Sequence, residues 1–149
     1  MTKEPSQYVA ELLSEDKFIL YWPKISRELD KVPHIWQDWW TKDSIYRFTT
    51  EGRFQCWAVG TEEVVLGVLF SQVTAYPKQT VLQVFMAFGE GMLDMVDALE
   101  ATFHRYAVIR RCTRVEITGR PGWESELRKK GFRRTSTTIA RAIQPMEMN

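Results

Sequence analysis

Cysteine and histidine are scarce in this chain: there are two of each among 149 residues. Cys56 and Cys112 fall in strand-like or core-like contexts and form no C-x-x-C pair, so they read as two reduced core thiols. A disulfide scaffold and a thiolate metal site are both excluded. His34 and His104 lie in different elements with no Cys or acid at ligand spacing, and no metal centre is expected. No apolar run approaches the roughly 20 residues of a membrane span. The opening MTKEPSQ has no apolar signal core, so an intracellular protein is expected. G-x-S-x-G, a P-loop Lys-Ser/Thr pair and a Ser/His/Asp order are all missing. There is no internal repeat, low-complexity stretch or Gly/Ser linker. One domain spanning 1–149, with its core at about 5–143, is the expectation.

What is present is an ordinary globular composition, 44% hydrophobic and 26% charged, with a formal net charge of +1. The charge is uneven. Residues 1–100 hold nine Lys/Arg and fifteen Asp/Glu, whereas 101–149 hold eleven and four. A basic last third suits an anionic ligand or a partner, or balances the acidic remainder. Arg128, Lys129, Lys130, Arg133 and Arg134 concentrate that charge. Only Trp123 and Phe132 interleave with them, so nucleic acid is disfavoured. Six Trp are present, three of them close together at Trp36, Trp39 and Trp40. Such rings anchor cores, cap grooves or dock partners.

Periodicity orders the elements. Residues 5–14 and 23–32 read as short helices, each with a Pro near its first turn. Another helical turn or two fits 34–42, and 43–52 reads as a helix capped by Asp43 and stopped at Gly52. Residues 54–59 and 64–75 are strand-like around a turn at 60–63, which makes a hairpin. Residues 80–88 are almost continuously apolar, as in a strand buried on both faces. Gly89-Glu90-Gly91 then leads into a helix over 91–110. Its apolar stripe is Met92, Val96, Leu99, Phe103 and Tyr106. Residues 113–118 alternate as a strand, 121–130 form a short helix ending before Gly131, and 132–143 read as a closing strand. The predicted class is α/β. It has N-terminal helices, a β-hairpin, a central strand, a Gly turn and long helix, and a C-terminal β-α-β, with the crossover parallel.

This order resembles the GNAT superfamily of acetyl-CoA-dependent N-acetyltransferases over residues 5–143. The likeness is carried by AVGTEEVVLGVLF, by VLQVFMAFGEGMLDMVDALEATF and by WESELRKKGF. The segment VEITGRPGWESELRKKGF is most similar to small GNAT-like proteins of tailed bacteriophages, some of them internal virion or ejection components. The resemblance implies acetyl-CoA as the cofactor. Its pyrophosphate would sit at Met86-Ala87-Phe88-Gly89-Glu90-Gly91, where the family has Arg/Gln-x-x-Gly-x-Gly/Ala. A strand, a Gly turn and a helix start aim main-chain N–H groups and a positive dipole end at one point. Both glycines match, but Met86 replaces the leading Arg/Gln and Glu90 brings negative charge. The family's Tyr four residues before Gly-Phe corresponds to Leu127, and its Asn to Arg120. Gln83 and the apolar central strand offer no base. Glu116, on the next strand, is the one candidate catalytic acid, provided burial raises its pKa.

Two readings follow. One is a phage-type protein with a degenerate acetyl-CoA site, acting as a virion or assembly component through aromatic and basic surfaces, with protein partners or copies of itself. It would be found in the bacterial host cytoplasm and in the virion. The other is an active acetyl-CoA-dependent N-acetyltransferase on an amine acceptor.

Overall fold

The computed structural model describes residues 9–60, 64–89, 92–119 and 121–145. The chain groups into two compact units, 1–119 and 120–149. The first holds strand β1 (Val9–Leu12), helices α1 (Glu15–Asp30), α2 (Pro33–Trp36) and α3 (Lys42–Thr50), strands β2 (Gln55–Gly60), β3 (Val65–Ala75) and β4 (Thr80–Gly89), helix α4 (Met92–Ile109) and strand β5 (Arg114–Ile117). The strands lie in the order β1-β2-β3-β4-β5. The first four are antiparallel neighbours, and β5 is parallel to β4. The predicted mixed α/β class and the parallel crossover are therefore present.

Side chains alternate across the sheet and build a core on each face. Cys56, Ala58, Val68, Phe70, Met86 and Phe88 join Phe18, Ile25 and Leu29 of α1 and Ile45 of α3 in one cluster. On the opposite face Trp57 meets Phe103 of α4, with ring centroids 4.5 Å apart, and Tyr106 at 5.4 Å. Leu99 and Phe103 of the predicted α4 stripe are buried. The side chains of Met92 and Val96 lie outside the described residues. Continuous apolarity in β4 does mean burial on both faces, with Val84, Met86, Ala87 and Phe88 all buried.

Several local expectations need correction. Residues 9–12 form an outer strand rather than part of a helix, because the edge of β2 takes them into an antiparallel ladder from Val9↔Gly60 to Leu12↔Trp57. The first helix starts at Glu15. Ser14 Oγ accepts from the Lys17 amide at 3.2 Å, and Glu15 and Asp16 sit in the positive first turn. Pro23 lies inside this helix rather than at its start. An interior proline costs about 3 kcal/mol, which the buried stripe of Phe18, Ile25 and Leu29 offsets. Thr41, not Asp43, caps α3. Thr41 and Ser44 exchange side-chain-to-backbone hydrogen bonds at 2.9 and 3.0 Å. Cys56 is buried, which raises its thiol pKa well above the ordinary range; Cys112 is only partly covered.

The second unit contains a 3-10 turn (Pro121–Trp123) and helix α5 (Glu124–Lys129). Gly131 follows with φ +90°, and the Phe132 amide returns to the Leu127 carbonyl at 3.1 Å. The predicted closing strand is absent. Residues 132–145 have no regular secondary structure, and Ile139 and Ile143 are 92% and 85% exposed. Their β-branched character finds no ladder partner, and strand propensity alone does not make a strand. The turn at 61–63 lies outside the described residues.

One buried polar relay ties the sheet together. Trp57 Nε1 donates to Ser71 Oγ at 2.8 Å, and Ser71 Oγ donates to Gln55 Oε1 at 3.0 Å. Ser71→Ala leaves the indole N–H and the amide oxygen without partners. It should destabilise the protein by about 1–3 kcal/mol in urea unfolding, with the native near-ultraviolet spectrum of Trp57 altered.

Candidate functional site

The most distinctive geometry lies halfway along β4. Phe70 pairs with Met86 but Ser71 pairs with Val84, so Phe85 is an extra residue with no opposite number on β3. At the same level the ladder to β5 stops. Val84↔Ile117 is its last pair, followed by a Thr118 N–H bond to the Val84 carbonyl at 2.9 Å. A bulge bends its strand and increases local twist. From residue 85 to 89, β4 therefore keeps β3 on one edge and has no strand on the other among the described residues. β4 thus runs on past the end of β5, the last strand of the sheet order, and the two form a fork.

Aromatic packing holds the bulge. Phe85 lies 4.7 Å from Phe54 and 5.9 Å from Trp40 between ring centroids, and Trp40 also meets Phe48 and Phe54 edge-on. Trp40 thus belongs to the wall of this site. Trp36 packs against the core and donates its indole N–H to the Leu29 carbonyl at 2.8 Å. Trp39 is 75% exposed.

The candidate cofactor residues separate into two groups. Met86 and Phe88 turn their side chains into the core beneath α1, where Phe88 stacks on Phe70. They do not fill the fork, and anything they offer a ligand comes from the main chain. Ala87 is buried as well. Gly89 has φ +125°, and a Cβ there would lie 2.4 Å from the Leu66 carbonyl oxygen. Glycine is required by the close approach of β4 to β3, whatever binds nearby. Glu90 and Gly91 lie outside the described residues, and α4 begins at Met92.

At the root of the fork stands a polar network. Glu116 is paired in register with Gln83. Gln83 Nε2 donates to Glu116 Oε1 at 3.2 Å and to the Tyr76 hydroxyl at 3.3 Å. Its amide oxygen accepts from Thr74 at 2.7 Å and from Gln72 at 3.4 Å. Arg114 closes the set with an ion pair to Glu116 Oε2 at 3.0 Å. Both oxygens of Glu116 are thus oriented, and the group is one-third exposed rather than buried. The burial on which its catalytic role depends is not found. Gln72, Thr74 and Tyr76 were not singled out from the sequence. Their period-two spacing along β3 and one residue past its end, starting at Gln72 opposite Gln83, is the signal that could have found them.

In the second unit, Leu127 is buried and apolar, and Arg120 lies outside the described residues. Part of the basic cluster is engaged internally. Arg128 and Arg134 both bind Glu124, and Lys129 binds Glu126. The hydrogen bond from Arg134, helped by its charge and by Arg128, holds the Glu124 carboxyl below its usual range.

The fold has counterparts among solved structures. An acetyltransferase from Trypanosoma brucei superimposes with a TM-score of 0.65 at 11% identity, covering 92% of this chain and 100% of that one. The fold is that of the GNAT N-acetyltransferases. Glucosamine-6-phosphate N-acetyltransferase from Arabidopsis thaliana gives a TM-score of 0.62 at 9% identity, covering 93% and 99%. The ribosomal-protein-alanine N-acetyltransferase of Brucella melitensis gives 0.61 at 9%, covering 92% and 98%. No protein-family model matches the chain, and no curated protein matches it in sequence. The GNAT likeness read from the sequence agrees with these structures, and the phage likeness gains no support from them.

Two measurements check the geometry. Gly52, at φ +80° with open space around it, should accept alanine at a cost of about 1 kcal/mol. Gly89→Ala, facing backbone, should cost well beyond that in the same denaturation series. The Glu124–Arg134 latch follows the sign of a lowered carboxylate pKa. It contributes above the ordinary carboxylate range and is lost as pH falls through the depressed folded value. The Arg134 Nε–H resonance should therefore persist at neutral pH and broaden in acid.

Proposed function

We propose that this GNAT-fold protein is an acetyl-CoA-dependent N-acetyltransferase whose donor site is the open edge of β4. The observation that carries this reading is the coincidence of the Phe85 bulge with the end of the β4–β5 ladder. Main-chain N–H and C=O groups on such an edge need partners. The amide-bearing pantetheine arm of the cofactor has the chemistry to supply them. Residues 85–89 would hold that arm, and the start of α4 beyond Gly89 suits its pyrophosphate. When bound, acetyl-CoA supplies an acyl group activated as a thioester.

The chain's own residues then have distinct tasks. The main chain at Met86 and Ala87 is the candidate for an oxyanion donor at the fork. Glu116 is the candidate acceptor of the amine proton. Gln83 and Arg114 orient its two oxygens, and Tyr76 and Thr74 orient Gln83. The Trp40–Phe85 wall positions the apolar part of an acceptor.

A second reading is favoured by Leu127, which cannot donate a proton, and by the ion pair that occupies Glu116. In it the site is degenerate and the protein serves a virion or another assembly through its surfaces. Calorimetry with acetyl-CoA, combined with amide chemical shifts, separates the two. Binding that perturbs the amides of residues 85–89 and Thr118 supports the donor site. No heat at millimolar ligand, together with co-purification in a particle, supports the assembly role. If the first reading holds, Glu116→Gln should lower kcat by about 100-fold or more. Loss of its exposed ion pair should change stability by no more than about 1 kcal/mol.

A further inference from the structure

A pair of arginines stands at the far end of the row that contains Glu116. Across the sheet Gln55 pairs with Ser71, Gln72 with Gln83, and Gln83 with Glu116. Phe54, one residue before Gln55, falls beside that row and packs in the same cluster as Phe70. Arg53 comes just before it and is folded back by a tight turn. Gly52 has φ +80°, and the amides of Arg53 and Phe54 both bond to the Phe48 carbonyl, at 2.9 and 3.1 Å. The Arg53 guanidinium is held 4.3 Å from the centroid of the Phe48 ring, and that of Arg47 lies 5.4 Å from the same ring. Phe48 packs on Phe54 and Trp40, so the two cations rim the aromatic wall of the fork. Both are exposed. Among the described residues no carboxylate lies within ion-pair reach of Arg53, and Arg47 meets Glu51 only at 4.0 Å. Two like charges over one ring repel each other, and an anion shared between them relieves that repulsion. At the other end of the row, Arg114 already neutralises Glu116.

We propose that Arg53 and Arg47 form an anion subsite for the acceptor, so that the substrate is an amine carrying a carboxylate or phosphate remote from its nitrogen. The amine end rests on the reading of Glu116 as proton acceptor, whereas the anion end stands on the two arginines. A guanidinium fork presents paired N–H donors that match either oxyanion. In the sheet order β2 and β5 are three strand spacings apart, which is about 14 Å. An α-amino acid, with both charges on one carbon, cannot serve both ends. The cofactor's pyrophosphate is not the anion in question. Its place at the start of α4 lies beyond Gly89, six residues along β4 from Gln83, or about 20 Å from the row.

The test reads binding, not turnover. Aminohexanoate, aminohexyl phosphate and hexylamine are titrated into the full chain while the arginine Nε–H resonances are followed. Both anionic amines should shift the Arg53 and Arg47 signals and bind about ten-fold more tightly than hexylamine, or better. Arg47→Gln with Arg53→Gln should remove that advantage and leave hexylamine unchanged. Both side chains are exposed, so the double variant should keep its near-ultraviolet spectrum and unfolding midpoint. Arg53→Lys, which keeps the charge, should retain part of the advantage. The relative affinity of the two anionic amines tells carboxylate from phosphate. Equal binding of all three probes overturns the proposal, as does an advantage that survives the double substitution. Shifts at both arginines with acetyl-CoA alone also overturn it, since the anion would then belong to the cofactor. If acetyl-CoA fails to bind while the anionic amines still shift the arginines, the donor-site reading falls and the anion subsite stands.

Discussion

The structure turns on one extra residue in one strand. Phe85 has no partner on β3, and its ring is held by Phe54 and Trp40. Without that insertion β4 would keep one register with β3 along its whole length. With it, β4 bends away just where β5 ends. Beyond that point the side of β4 away from β3 has no strand among the described residues, and main-chain groups on such an edge need partners.

The remainder of the first unit serves to keep that edge in place. Met86 and Phe88 are anchored in the cluster under α1, so the strand cannot roll. Gly89 lets the end of β4 press against the Leu66–Gly67 backbone. On the other face Trp57 packs against α4 and bonds to Ser71, the residue immediately beside the register shift. The one apolar residue that departs from the family's phosphate-loop pattern is thus explained by packing. Met86 in place of an Arg or Gln is a core residue first, which makes it weak evidence for a decayed site. The network of Gln83, Glu116, Arg114 and Tyr76 lies one ladder step from the fork. On the proposed reading it supplies orientation and a carboxylate beside the activated acyl group.

The second unit departs from what its sequence suggests. Its basic residues leave an anionic ligand, a partner and internal charge balance open, and Arg128, Lys129 and Arg134 bind carboxylates of the same unit. Its final segment reads as a strand and is not one. A charge or a β-prone stretch states what a segment can pair with, not which partner it takes.

Much of this was legible along the chain. The antiparallel hairpin, the doubly buried strand β4, the long helix and the parallel crossover follow from period and punctuation, because each is a local pattern repeated over enough residues. So does the α/β class, and with it the GNAT likeness. Glu116 could be picked out as an acid on the strand beside β4. Three things required tertiary structure. The bulge at Phe85 is invisible in TVLQVFMAF, since one surplus residue shows only against a partner strand's count. The network around Gln83 joins residues from three strands. The strand at 9–12 was decided by the β2 edge that receives it, and the segment at 132–145 has no regular secondary structure despite its β-branched residues. Periodicity and composition act within a segment, whereas edges, registers and forks belong to pairs of segments, and only folding brings the pairs together.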